Sequence, residues 1–145
     1  DGLIINYGTL GLQLKNESAE QFALKFNSIP TVFLTEIVHE PNCHSLICDN
    51  KQGIRLVMAH LIEEHHCSNI LFVSGPAQNT DAKERKATYF EMMERYHLPV
   101  SDKMIAQGDY SEFVDRQVDQ LLDDNPNAEA IVFANDEMAF AVDSK

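Results

Sequence analysis

Arg85, Tyr110 and Asn135 are the side chains whose type and position suit them to hold a small polar molecule. Asn135 follows the apolar run Ala130 to Ala134 and stands with Asp136 before Glu137-Met138-Ala139, where a helix opens. Tyr110 follows Gly108-Asp109 at the end of a short β-rich run. Arg85 falls in the second turn of a helix that begins beyond Ser74-Gly75-Pro76. An amide both donates and accepts hydrogen bonds, a guanidinium forks over two oxygens, and an aromatic face stacks on the apolar side of a sugar ring. In open α/β sheets ligands sit at the carboxyl ends of strands, where helix N-termini present free N–H groups. Asn6-Tyr7, Thr35-Glu36 and Asp49-Asn50 are further polar strand ends.

Each candidate also has a plain structural reading. Arg85 pairs with Asp81 at i,i+4 spacing, Asn135 caps a helix, and Tyr110 is a half-buried core aromatic. Asp49 reads as the cap of the helix after it.

Catalytic patterns are missing. There is no Gly-x-Gly-x-x-Gly after the first strand and no Walker loop, and Ser74 in Val73-Ser74-Gly75-Pro76 is not a nucleophile elbow. Glu36, Asp109 and Asp136 are acids without a nameable partner, so no catalytic residue is expected and an α/β enzyme is the least favoured class. His60, His65 and His66 with Cys67 resemble a metal cluster, but His60-Leu61-Ile62-Glu63-Glu64-His65 is not a His-Glu-x-x-His helix. The expectation is a solvated helix end, no metal and no cofactor. Cys43, Cys48 and Cys67 match neither zinc nor disulfide spacing. Cys48 reads as a small core residue, and the set fits a reducing compartment, the cytoplasm.

The elements that position these residues alternate. Strands are expected at Leu3–Asn6, Thr31–Leu34, Ser45–Cys48, Asn69–Ser74, Lys103–Gln107 and Ile131–Ala134. Ser18 and Gln21 form a capping box before Phe22 and Phe26. Ile54, Val57, Met58, Leu61 and Ile62 share a helix face over Gln52–Glu64. A helix follows from Thr80 to His97, and Ser111 is read as capping another whose inner face is Val114, Val118, Leu121 and Leu122. Strands separated by helices imply parallel pairing with right-handed crossovers, hence an α/β doubly wound sheet. Only Thr35 to His44 lacks a helix. A hinge is expected there, with domains at 1–43 and 44–145.

The 145 residues suffice for one substantial core. Net charge is −12, which repels phosphate backbones, so this segment is not expected to contact nucleic acid directly. No apolar run reaches the length of a membrane span, and no signal peptide is visible. The opening Asp1-Gly2-Leu3-Ile4-Ile5 already reads as a strand, so a piece of a longer protein is expected.

Six segments in order resemble the effector-binding domain of the LacI/GalR family, which has the two-lobed (type I) periplasmic sugar-binding-protein fold. They are Asp49-Asn50-x-x-Gly53, His60-Leu61-Ile62, Ile70 to Pro76, Glu84-Arg85, Gly108-Asp109-Tyr110 and Ala134 to Ala139. The resemblance runs from Asp1 to about Ala141. It implies a fragment of a clamshell that closes on a small-molecule effector such as a sugar, no cofactor, and a side-by-side homodimer. By the same resemblance Arg85 grips ligand oxygens, Tyr110 lines the cleft and Asn135 reaches the ligand. Thr35 and Glu36 stand near a position where the family often carries a ligand-contacting Asp. The chain departs from the family at Arg85-Lys86-Ala87-Thr88-Tyr89, where Gly usually precedes Tyr, and at His65-His66-Cys67, where a Gly is usual. Gly8-Thr9-Leu10-Gly11, and Asn79-x-x-Ala82-x-x-Arg85 with Tyr89, resemble sensors fused to signalling outputs such as diguanylate cyclase (GGDEF) or histidine kinase modules. The alternative is the effector domain of a DNA-binding repressor whose helix-turn-helix lies outside this chain.

Overall fold

Parallel strands, joined through helices except between Leu34 and Cys43, form two separate sheets in the computed structural model, which describes residues 1–7 and 17–143. Gly8-Thr9-Leu10-Gly11 lie outside the described residues. Packing divides the chain into two units, Asp1–Asp49 and Asn50–Lys145.

In the first unit β1 (Leu3–Asn6), β2 (Thr31–Leu34) and β3 (Cys43–Leu46) form a parallel sheet in the order β1-β2-β3. Helix α1 (Ala19–Ala23) continues into a 3-10 turn at Leu24–Phe26. The expected capping box is present: Ser18 Oγ accepts from Gln21 N at 3.2 Å, and Ser18 N donates to Gln21 Oε1 at 3.1 Å. Phe22 lies between the rings of Tyr7 and Phe26, with centroids 5.7 and 5.2 Å away. The core consists of Ile5, Tyr7, Ala23, Phe33 and Val38.

The segment expected to form a hinge joins two strands of one sheet. The strands on either side of it are hydrogen-bonded neighbours, with Thr31 opposite Cys43 and Leu34 opposite Leu46. A parallel crossover ordinarily needs a longer connection with a helix. Here Val38 is buried in the crossover, and its N–H donates to Ser45 Oγ at 2.9 Å. Thr35 and Asn42 turn the chain at φ 72° and 60°. Pairing therefore pulls the third strand two residues earlier, to Cys43, and packing divides the chain after Asp49. Cys48 lies beyond the strand and is exposed, not part of the core.

The second unit begins with α2 (Asn50–Ala59), which runs into a π turn at His60–Glu64. Then come β4 (Ile70–Ser74), α3 (Thr80–Arg95), β5 (Ile105–Gln107), α4 (Asp115–Asp124), β6 (Ala130–Phe133) and α5 (Asp136–Asp143). The sheet order is β5-β4-β6, all parallel. Every residue of the central strand β4 is buried, as an apolar run covered on both faces requires. Phe72 stacks on Tyr89 at 5.0 Å, and Met58, Met92, Met93 and Met138 fill the space around them. The Tyr89 hydroxyl donates to Ile70 O at 2.8 Å, and burial pushes its pKa up to about 12.

Two helix faces differ from expectation. Val57 is 46% exposed and Leu122 is 41% exposed, so neither belongs to the inner stripe. Helix α4 starts at Asp115 rather than after Ser111, because Ser111 is held by Asp109. No described helix is long and apolar enough to cross a membrane.

Candidate functional site

The carboxyl ends of β4, β5 and β6 bring Ser74-Gly75, Gln107 to Tyr110 and Ala134-Asn135 to one edge of the second sheet. Two glycines allow the loops to close there. A Cβ on Gly75 would stand 2.1 Å from Tyr110 Cε1, and one on Gly108 would stand 2.4 Å from Met138 Sδ and 3.0 Å from Ser74 O. Tyr110 has φ 71°, a left-handed conformation that a residue with a Cβ adopts only at a cost. This turn and the open space over Gly75 set the phenol ring against the β4 end. Gln107 braces the same loops: its Nε2 donates to Gly75 O and, at 2.8 Å, to Gly108 O.

The three predicted residues form one linked group. The Arg85 guanidinium donates through Nη1 to Ala134 O and through Nε to Asn50 Oδ1 at 2.9 Å. Asn135, the residue after Ala134 beyond the end of β6, donates from Nδ2 to Tyr110 O at 3.2 Å and accepts through Oδ1 from Met138 N at 3.3 Å. The Tyr110 hydroxyl lies 3.5 Å from Asn79 Oδ1, and Asn79 caps α3 by accepting from Ala82 N at 2.8 Å.

These contacts address the plain structural readings. Arg85 reaches Asn50 and the β6 end instead of pairing with Asp81, and its Nη2 is left without a protein acceptor among the described residues. Asn135 does cap α5, but its amide nitrogen also ties β6 to the β5 loop. Tyr110 packs against the core while its hydroxyl faces the start of α3.

Electrostatics favour a neutral phenol beside a fixed cation. Burial raises the Tyr110 pKa, and the Arg85 charge only partly opposes it. The hydroxyl therefore keeps its proton at neutral pH and can donate. Asp109 is held below the usual carboxylate range by the Ser111 hydroxyl and N–H, so it stays ionised at the rim.

Thr35 and Glu36 belong to the first unit, at the carboxyl end of β2. Thr35 N donates to Leu46 O at 3.0 Å and its hydroxyl to Leu34 O at 2.5 Å; Glu36 is exposed. Asn50 was named from the sequence with Asp49 among the polar strand ends, whereas Gln107 was not singled out. The signal for Asn50 was its position as a second polar residue at a strand end, beside Asp49. Gln107 had none, since a glutamine closing a strand reads as solvent-facing.

The chain as a whole is similar to proteins of one family. The model for periplasmic binding proteins and the sugar-binding domain of the LacI family matches residues 1–143. The HTH-type transcriptional regulator AscG of Escherichia coli is 29% identical over 114 residues, covering 78% of this chain and 34% of that protein. The HTH-type transcriptional regulator GalR of Salmonella typhimurium is 29% identical over 101 residues, covering 69% of this chain and 29% of that protein. Among solved structures, a regulatory protein of the LacI family from Chloroflexus aggregans superposes with TM-score 0.72 at 26% identity, over 99% of this chain and 50% of that one. The E. coli repressor AscG superposes with TM-score 0.73 at 24% identity, over 94% of this chain and 54% of that one, a likeness of fold. The chain thus spans about a third of the curated relatives' length and half of these solved chains.

Proposed function

Because the chain belongs to the family of periplasmic binding proteins and LacI-type sugar-binding domains, we propose that it is the effector-sensing portion of a transcription regulator, with Arg85, Tyr110 and Asn135 lining its ligand site. The segment is a binding domain and not an enzyme. The observation that carries the reading is the Arg85 guanidinium, fixed through Nε and Nη1, with no acceptor for Nη2 among the described residues and a protonated phenol in its field. Fixed donors of this kind suit the vicinal oxygens of a sugar or a related polyol, and the phenol ring suits its apolar face. Thr35 and Glu36 are assigned to the ligand on the family resemblance alone.

The proposed action is a population shift. A ligand that binds the closed arrangement of the two lobes more tightly than the open one biases the protein by that difference in affinity and by nothing else. On this reading Asp1–Asp49 is part of the first lobe and Asn50–Lys145 most of the second, in a side-by-side homodimer in the cytoplasm. The regulators AscG and GalR carry HTH-type names, which favours a DNA-binding output, supplied from outside this chain, over a diguanylate cyclase or kinase. The acidic segment itself takes no part in holding DNA.

The test is isothermal calorimetry of the intact protein against a panel of mono- and disaccharides, repeated with Arg85→Ala. A sugar bound by the wild type and lost in the variant supports the assignment. A sugar bound equally by both removes Arg85 from the site, and no binding by any member of the panel removes the sugar reading.

A further inference from the structure

Helix α2 changes pitch at its end, and two imidazoles meet there. Five residues apart on an α-helix, side chains stand about 140° apart around the axis, so His60 and His65 read from the sequence as unrelated. In the structure His60–Glu64 is a π turn, closed by His65 N donating to His60 O at 3.3 Å. The wider turn sets residue i over residue i+5. His60 Nε2 and His65 Nε2 stand 3.0 Å apart, with ring planes at 82° and centroids 4.7 Å from each other. Both side chains are exposed.

We propose that His60 and His65 form a two-histidine chelate for a divalent copper or nickel ion, with water on its remaining positions. The α-helical spacing that argued against a metal here does not apply to a π turn. A neutral imidazole with its proton on Nδ1 offers one in-plane lone pair at Nε2. Metal–nitrogen bonds of about 2.0–2.1 Å, spanning the 3.0 Å between the two nitrogens, meet at the ion at about 94°. That is the angle between adjacent ligands in tetragonal or octahedral coordination, which Cu²⁺ and Ni²⁺ accept, whereas tetrahedral Zn²⁺ needs a wider bite.

The site is a surface chelate, not a closed structural centre. The Cys67 thiol donates to His65 O at 4.0 Å instead of joining the pair. Among the described residues no three His, Cys, Asp or Glu side chains group to hold a metal. The ion therefore exchanges freely and pins the π turn while bound. This site is independent of the sugar reading, since it lies at the opposite end of α2 from Asn50.

The probes are NiCl₂ and CuSO₄, each titrated calorimetrically into the chain at neutral pH. His60→Ala, His65→Ala and His66→Ala are compared, with circular dichroism to check folding and His65→Gln as a second variant that keeps side-chain size. The expected result is one ion per wild-type chain, unchanged in His66→Ala and weakened about a hundredfold in each variant of the pair, as loss of a chelating arm implies. Copper electron paramagnetic resonance reads two equatorial nitrogens in wild type and one in the variants, whatever their stability. Wild-type binding no tighter than that of the His60 or His65 variants, or a one-nitrogen signal in wild type, overturns the proposal.

Discussion

The Tyr110 ring lies directly over Gly75, so close that a methyl group on that glycine would overlap the ring edge. The overlapped atoms are at the far end of a side chain, not backbone, so the fold can accept the substitution and the ring cannot stay where it is. Gly75→Ala is expected to move Tyr110 and cost about 1–3 kcal/mol in strain. Urea denaturation measures the cost, and near-ultraviolet circular dichroism reports the ring. A variant with wild-type near-ultraviolet spectrum and unchanged sugar affinity means that the ring position is unimportant.

Asn50 is buried and is the acceptor that fixes Arg85 through Nε. Asn50→Ala leaves that donor without its partner, at an expected cost of about 1–3 kcal/mol. Ligand affinity should fall along with stability. Asn50→Asp restores an acceptor and should recover affinity. If Asn50→Asp is as poor as Asn50→Ala, the side chain matters for packing and not for holding the guanidinium.

His97 ends α3 in a Schellman motif. Its N–H donates to Glu94 O, Leu98 N donates to Met93 O, and its own φ is 55°. A glycine takes that left-handed conformation without the Cβ penalty. His97→Gly should stabilise the protein by about 1 kcal/mol, which raises the melting temperature by about 4 °C. A lower melting temperature means that the imidazole supplies more than the turn costs.

Glu129 holds the chain before β4. One of its carboxylate oxygens accepts from Ser68 N at 2.7 Å, Asn69 N at 2.9 Å and Ser68 Oγ at 3.1 Å. These donors lower its pKa below the ordinary value of 4.5. The folded chain thus binds this proton less readily than the unfolded chain. The stabilisation is complete above the ordinary value and is lost as pH falls through the depressed one. Glu129→Gln should melt at a lower temperature than wild type at neutral pH, with the gap closing in acid. A gap that is constant with pH assigns the loss to shape and not to charge.

Local sequence patterns predicted the elements they govern. The apolar runs Leu3–Asn6 and Thr31–Leu34 are strands at those bounds, and Ser18 with Gln21 is a capping box. Non-local pairing governed the rest. Cys43 joins a strand because Thr31 stands opposite it, and nothing in Pro41-Asn42-Cys43 signals that. The shared edge of Tyr110 and Asn135 was legible because strand ends share an edge in any parallel sheet, and Arg85 because its helix starts from that edge. The Asn50 bridge and the His60–His65 pair were not, since one depends on a helix–helix contact and the other on a change of helical pitch that side-chain periodicity does not encode.

The placement of β4 between β5 and β6 also sets the timetable for making the protein. Its middle strand emerges from the ribosome well before either flank, and Ile70 must wait for Ala130 to be synthesised before that side of the ladder can close. Until then the apolar run Ile70 to Val73 is exposed in the nascent polypeptide with an open edge, the kind of intermediate that chaperones exist to shield.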